Sequence, residues 1–208
     1  LRVTHFCYGG VVDETVGLRE RKKLATRQAI SWAAIRLAVE KGLDNLHVDD
    51  IAAAAGVSPR TYNNYFSSKE EAICWMTVDR ARLIGASLLA RPAAEPLADA
   101  LVAAVLAHYT PAGELDREFV TATRLMMTSP SLQGEFLRSS GATERNLVDA
   151  VARRTGVDPA LDMYPALVAA TVAGALRVGI AHWLNSGTTE PFVAVLESAV
   201  RRALADLT

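Results

Sequence analysis

Residues 47–69, HVDDIAAAAGVSPRTYNNYFSSK, constrain the fold of this chain more than any other segment. They spell a short apolar-faced helix over 48–55, a glycine turn, and a second helix over 59–66. Ile51, Val57, Tyr62 and Phe66 supply the apolar contacts that a helix pair needs. Ala52 and Ala55 are small enough to let the two helices approach closely. Gly56 can take the positive-φ turn between them. Ser58 is a good N-cap, and Pro59 sits at the first helical position, where its missing N–H costs nothing. The second helix would be roughly 12 Å long, and a B-DNA major groove is about 12 Å wide. Arg60, Asn63 and Asn64 fall at i, i+3 and i+4 on one face. Arginine can donate two bonds to guanine, and asparagine can bond adenine at ring and amino group. Pure packing is the bland alternative for such a pair. Turn, cap and polar face together favour a base reader.

The rest of the chain predicts an all-α fold of about nine helices. A long helix suits 19–41: Ile30, Ala33, Ala34, Leu37 and Ala38 share one stripe, and Trp32, Ile35 and Val39 widen it. Gly42 is placed to end it in a left-handed cap. Ser68 can cap the next long helix, with Glu70 and Glu71 at its positive end, and Pro92 stops it near Leu89. Further helices fit 95–109, 114–128, 131–155, 159–185 and 190–207. Gly141 makes a kink or break plausible inside 131–155. Three parts follow: a weakly ordered arm over 1–17, a three-helix unit over 18–67, and a larger helical domain over 68–208.

Composition narrows the function classes. Half of the 208 residues are hydrophobic, enough for a real core, and aromatics are few. The net charge of −1 excludes a general polyanion binder, but charge is uneven. Residues 19–70 hold nine Lys/Arg and six Asp/Glu, so that stretch carries +3 and the remainder −4. A locally basic end on a neutral chain suits a modular DNA binder. Arg21-Lys22-Lys23 is either a solvated charge run or a DNA-contacting arm. Cys7 and Cys74 are too scattered for a disulfide framework, which points to a reducing cytoplasm. The longest apolar run, Pro165–Leu176, is short of a membrane span.

The pattern Ile51-Ala52-x-x-Ala55-Gly56-Val57-Ser58, then Thr61, then Tyr65-Phe66-x-x-Lys69, resembles the helix-turn-helix of TetR-family repressors. The likeness spans roughly residues 19–75. It implies a dimer whose two reading helices enter successive major grooves of a palindromic operator, with effector binding in the C-terminal domain releasing DNA. Carried over by position, Thr61, Tyr65 and Lys69 would touch phosphates, and Arg60, Asn63 and Asn64 would face bases. His47 and Arg27 complete the DNA-contact set. Two positions depart from the family pattern. Tyr is frequent where Asn63 stands, and Ser or Thr where His47 stands, which leaves the cap of the first helix of the pair open.

The second part offers a pocket and an interface. Trp75, Met76, Leu89, Leu106, Tyr109, Phe119, Met126, Met127 and Phe136 are the effector-pocket candidates, since methionines adapt to irregular shapes. Each could equally be ordinary core. His108 and Arg124 are polar groups beside apolar stripes that could orient a ligand. A small apolar effector would suit: drug-like, fatty-acyl or acyl-thioester. Leu176, Ile180, Trp183, Leu196, Val200 and Leu204 form stripes on the last two helices that would build a four-helix interface with a second copy. Closure of the monomer core is the competing use for the same stripes.

Two other functions compete. One is an activator, or a DNA binder controlled by a partner protein. The other is an enzyme with a helical cavity. No His-x-x-x-His or Cys-x-x-Cys spacing, Gly-x-Ser-x-Gly elbow or glycine-rich phosphate loop supports catalysis. No catalytic residue, metal or cofactor is therefore expected.

Overall fold

The computed structural model describes residues 17–109, 117–205 and 207, without the side chains of 117–119, 140 and 143. The arm expected over 1–17 falls, Gly17 apart, outside the described residues. So do residues 110–113, between two of the expected helices, and the side chain of Phe119. Among the described residues there are nine α-helices and no strand. They are α1 (Leu18–Lys41), α2 (Val48–Ala54), α3 (Pro59–Asn63), α4 (Lys69–Ala90), α5 (Leu97–Leu106), α6 (Arg117–Thr128), α7 (Pro130–Thr155), α8 (Tyr164–Asn185) and α9 (Phe192–Leu204).

Compactness divides the chain at places other than the expected boundary after residue 67. One unit holds 17–77 together with 117–139; the other holds 78–109 together with the chain from 140 onward. The chain passes from one to the other inside α4 and again inside α7. Helix α7 runs through Gly141 without a break.

In the first unit, α1 is the central helix, packed against α2 and α6. Its predicted stripe, Ile30, Ala33, Ala34, Leu37 and Ala38, is buried. Ser31 is buried too, and its hydroxyl donates to the Ala72 carbonyl at 2.6 Å, tying α1 to α4. The helix ends at Gly42 with φ 79° and ψ 154°. That is not the left-handed cap expected from the sequence, but it is still a conformation that glycine alone adopts without strain. Gly56 takes its expected positive φ, 68°, in the turn between α2 and α3.

In the second unit, α8 and α9 pack along their lengths, and α5 adds to α9. Gly179 makes the approach possible: a Cβ there would lie 3.1 Å from Ala199 Cβ and 3.2 Å from Leu196 Cδ2. Leu196, Val200 and Leu204 have no exposed surface. Full burial of a leucine is worth about 1.5–3 kcal/mol. Helix α8 starts later than expected, at Tyr164, because Asp158 and Asp162 carboxylates accept from Ala160 and Tyr164 N–H groups at 2.9 and 2.8 Å and hold 158–163 in turns. Arg154 closes the end of α4. Its guanidinium donates to the carbonyls of Leu88, Arg91, Pro92 and Glu95 at 2.8–3.2 Å, tying the last turn of α4 to the connection that follows it.

Candidate nucleic-acid interface

Helix α3 is short because local chemistry stops it early. Ser58 Oγ accepts the Thr61 N–H at 3.0 Å and pairs with Thr61 Oγ1 at 2.9 Å, fixing the start. The consecutive Asn63 and Asn64 are weak helix formers, and the helix ends at Asn63 where the sequence predicted Phe66. The backbone keeps turning, with Tyr65 and Phe66 N–H groups both donating to the Tyr62 carbonyl at 2.8 and 3.0 Å. Arg60, Asn63 and Asn64 stay exposed together. Among the described residues no partner engages their side chains. Three fork-shaped hydrogen-bonding groups on one protruding turn can read base edges. Tyr65 and Thr61, half-exposed beside them, can bond phosphate oxygens.

Beneath that face the groups are committed. Tyr62 and Phe66 are core, with ring centroids 6.0 Å apart. The Tyr62 hydroxyl donates to the Ser68 carbonyl at 2.8 Å, and burial raises its pKa well above the ordinary phenol value. Trp75 meets Phe66 edge-on at 6.2 Å. Ser68 Oγ accepts the Glu71 N–H at 3.0 Å and caps α4, as its position in the sequence predicted. Glu71 Oε2 in turn accepts both the N–H and the hydroxyl of Ser67 at 2.7 Å. Glu71 looked like dipole compensation alone. The Ser68-x-x-Glu71 spacing of a capping box was the available signal for its anchoring role.

Two of the expected phosphate and base contacts have other work. Lys69 Nζ donates to the carbonyls of Leu43 and Leu46 at 2.7 and 3.0 Å, pinning the α1–α2 loop to the start of α4. One ammonium proton remains for an outside acceptor. Arg27 lies with Cζ 5.0 Å from the Phe66 ring centroid and 5.3 Å from that of Trp75, its Nη2 3.7 Å from Glu71. Its Nε is buried with no partner among the described residues. His47 stands exposed at the N-cap of α2 in extended backbone, and its side chain makes no capping bond. Asp49 and Asp50 follow it and favour the positive helix end.

The effector-pocket candidates fall in both compact units. Trp75, Met76, Met126, Met127 and Phe136 belong to the first compact unit, and Leu89, Leu106 and Tyr109 to the second. Trp75 and Met76 are buried, Trp75 against Phe66, while Leu89, Leu106, Tyr109, Met126, Met127 and Phe136 are half-exposed. Of the polar pair, Arg124 is exposed. His108 bonds Ser87 Oγ at 2.7 Å, and burial and the nearby Arg80 lower its pKa from the ordinary 6.5. Tyr109 packs on Phe192 and under Arg80, whose Cζ lies 4.5 Å from the ring centroid.

The expected interface stripe needs correction. Leu196, Val200 and Leu204 are fully buried within the single chain, and Leu176 is only 9% exposed. A side chain with no accessible surface has none to bury against a second copy. Trp183 is half-buried, stacked edge-on to Phe192 at 5.1 Å, and Ile180 is half-buried. Leu176, Leu196, Val200 and Leu204 thus belong to the core of the single chain, while Ile180 and Trp183 keep accessible surface. The outward face of α8 is apolar instead: Leu167 is 46% and Val178 58% exposed, and a Cβ on Gly174 would meet nothing within 4 Å. Helix α8 is also long and apolar enough to cross a membrane by length and composition. The 12-residue run seen in the sequence understated that.

A helix-turn-helix with a free polar face and a fixed underside is a DNA-reading module. Comparison with known proteins agrees. Residues 30–71 match the tetR family of bacterial regulatory proteins, and residues 95–208 match the MftR C-terminal domain. The chain is 32% identical over 194 residues to the HTH-type transcriptional regulator TcmR of Streptomyces glaucescens, covering 88% of this chain and 85% of that one. It is 33% identical over 168 residues to MftR of Mycobacterium tuberculosis, provisionally assigned to regulation of mycofactocin biosynthesis, covering 79% and 83%. The fold also matches the fatty acid degradation regulator FadR of Bacillus halodurans, with TM-score 0.55, 19% identity, and 88% and 96% of the two chains covered. This chain belongs to the TetR family and is a transcriptional regulator with an N-terminal DNA-binding domain. Its relatives are regulators, not enzymes.

Proposed function

We propose that this regulator acts as a dimeric repressor in the cytoplasm, released from a palindromic operator by a small apolar effector. The observation that carries the DNA side is the exposed, unengaged trio Arg60, Asn63 and Asn64 on a scaffold whose neighbouring side chains are already bonded. These three face base edges, while Thr61, Tyr65, His47 and the remaining Lys69 proton face phosphates. One five-residue reading helix touches too few bases for useful specificity, so a two-fold pair is needed. Leu167, Gly174 and Val178 supply an apolar face for the second copy. The effector would take the half-exposed side chains Leu89, Leu106 and Tyr109 of the second compact unit, or Met126, Met127 and Phe136 of the first; Phe119 stays a candidate on its sequence position. Effector binding would favour a conformation whose reading helices no longer match the groove spacing.

Selection of bound duplexes from a random pool tests the reading. A palindromic consensus is expected, with affinity falling steeply as salt rises. Arg60→Ala or Asn64→Ala should relax preference at one position of each half-site, at a cost of about 1–3 kcal/mol there. An asymmetric consensus, or uniform loss on all sequences from both variants, would refute the role assignment. Light scattering should give a dimer for the wild type and a monomer of unchanged thermal stability for Val178→Asp. Apolar metabolites are then screened for release of the selected site. If none releases it, an activator or a partner-controlled binder becomes the better reading.

A further inference from the structure

We propose that Arg27 is a positioning residue for DNA recognition, one that sets the reading helix through Phe66 and α4 without touching DNA. Three elements meet at its guanidinium. Arg27 comes from α1, Phe66 closes the turn that follows α3, and Trp75 and Glu71 come from the first two turns of α4. The Cζ sits 5.0 and 5.3 Å from two aromatic centroids that are themselves 6.2 Å apart and steeply inclined, at 66°. A guanidinium so placed is attracted by both ring faces at once. Its charge is turned toward Glu71, whose other oxygen already holds Ser67. Ser67 directly follows Phe66, so the cation grips the α3–α4 connection from its ring and, through Glu71, from its backbone.

The consequence reaches the base-reading face through very few bonds. Phe66 N–H donates to the Tyr62 carbonyl at 3.0 Å, closing a turn that contains Asn63, Asn64 and Tyr65. The Phe66 ring is 1% exposed, so its position and the direction of those three side chains are set together. Arg27 locks that ring against the start of α4. The arginine's own Nε is buried and unbonded, a cost that a purely DNA-contacting side chain would avoid by turning to solvent. About a third of the side chain is still accessible, 34%, so exposure does not separate a contact from a rivet, whereas chemistry does.

The test compares wild type with Arg27→Lys, Arg27→Gln and Trp75→Leu on the duplex that the wild type selects, over a series of salt concentrations. Lysine keeps the charge and the reach to a phosphate, but it cannot spread a plane across two rings. Positioning predicts that both Arg27 variants and Trp75→Leu each weaken binding by about tenfold. It also predicts an unchanged slope of log affinity against log salt. The double variant Arg27→Gln/Trp75→Leu should lose less than the product of the two single losses, because both remove the Arg27–Trp75 contact. The proposal is overturned if Arg27→Lys binds like wild type, if Arg27→Gln lowers the slope by about 0.9, the value of one lost phosphate contact, or if Trp75→Leu is neutral. Thermal melts run alongside. Should Arg27→Gln fail to fold, the lysine and Trp75 variants still separate the two roles.

Discussion

Around α3, backbone is held by side chains: Lys69 on the Leu43 and Leu46 carbonyls, Tyr62 on that of Ser68, Ser31 on that of Ala72, and Glu71 on the Ser67 N–H. Between α8 and α9 the work is done by apolar contact, with Leu196, Val200 and Leu204 fully buried and Gly179 letting the helices close. The difference follows from length. Helices of seven and five residues cannot stand alone or bury a long stripe, so directed bonds fix where they point. Helices of 22 and 13 residues bury enough surface to hold each other without them. Polar bonds have direction, which a base-reading surface needs; apolar contact has magnitude, which a core needs.

Each side of that contrast breaks in its own way. The largest effect is expected from Leu196→Ala, which leaves a cavity between α8 and α9 and should cost about 2–5 kcal/mol of global stability in a denaturant melt. A loss below ~1 kcal/mol would mean the pair collapses readily, and that its packing matters less than its burial suggests. Next comes Lys69→Met. It strands two carbonyls, and should cost about 1–3 kcal/mol. The loss should appear in hydrogen exchange as faster opening of residues 43–47, with α8 and α9 protected as before. Equal deprotection of both regions would erase the distinction drawn here.

The smallest effect is a pH dependence within the apolar unit, centred on His108. Burial and Arg80 lower its pKa below 6.5, so folding favours the neutral ring. The unfolded chain takes up a proton first as pH falls through 6.5. Stability is therefore complete above that value and declines below it. His108→Gln should flatten this part of the stability profile, and an unchanged profile would assign the acid sensitivity to other groups. Cys74 sharpens the other side of the comparison. Its thiol is buried, with its pKa pushed up to about 12 chiefly by desolvation, and its S–H points to the Leu132 carbonyl at 3.5 Å. In a Cys7→Ser background it should resist thiol reagents until the first unit opens.

Much of the site was readable in consecutive residues. The turn at Gly56, the cap at Ser58, proline at the first helical position and the i, i+3, i+4 spacing of Arg60, Asn63 and Asn64 are all local rules, and each is met. Helix number and type were also legible, because apolar periodicity and Gly/Pro breakers act within a few residues. Helix ends were less so. Sequence carried α3 to Phe66 and began α8 at 159, because periodicity counts apolar residues and does not see a carboxylate capturing an N–H group two positions on.

What sequence alone determined, then, was that this chain is helical, that it contains a helix-turn-helix, and which polar side chains its second helix exposes. Which cations and stripes were still available for partners was decided by tertiary structure. Lys69 finds its acceptors 26 and 23 residues away, and Arg27 finds its rings 39 and 48 residues away. The stripe of α9 is spent on α8 within the chain, which leaves Leu167 and Val178 as the apolar face outside. Periodicity shows that a face must be covered. Only the packed chain shows what covers it, because burial depends on neighbours that are distant in sequence.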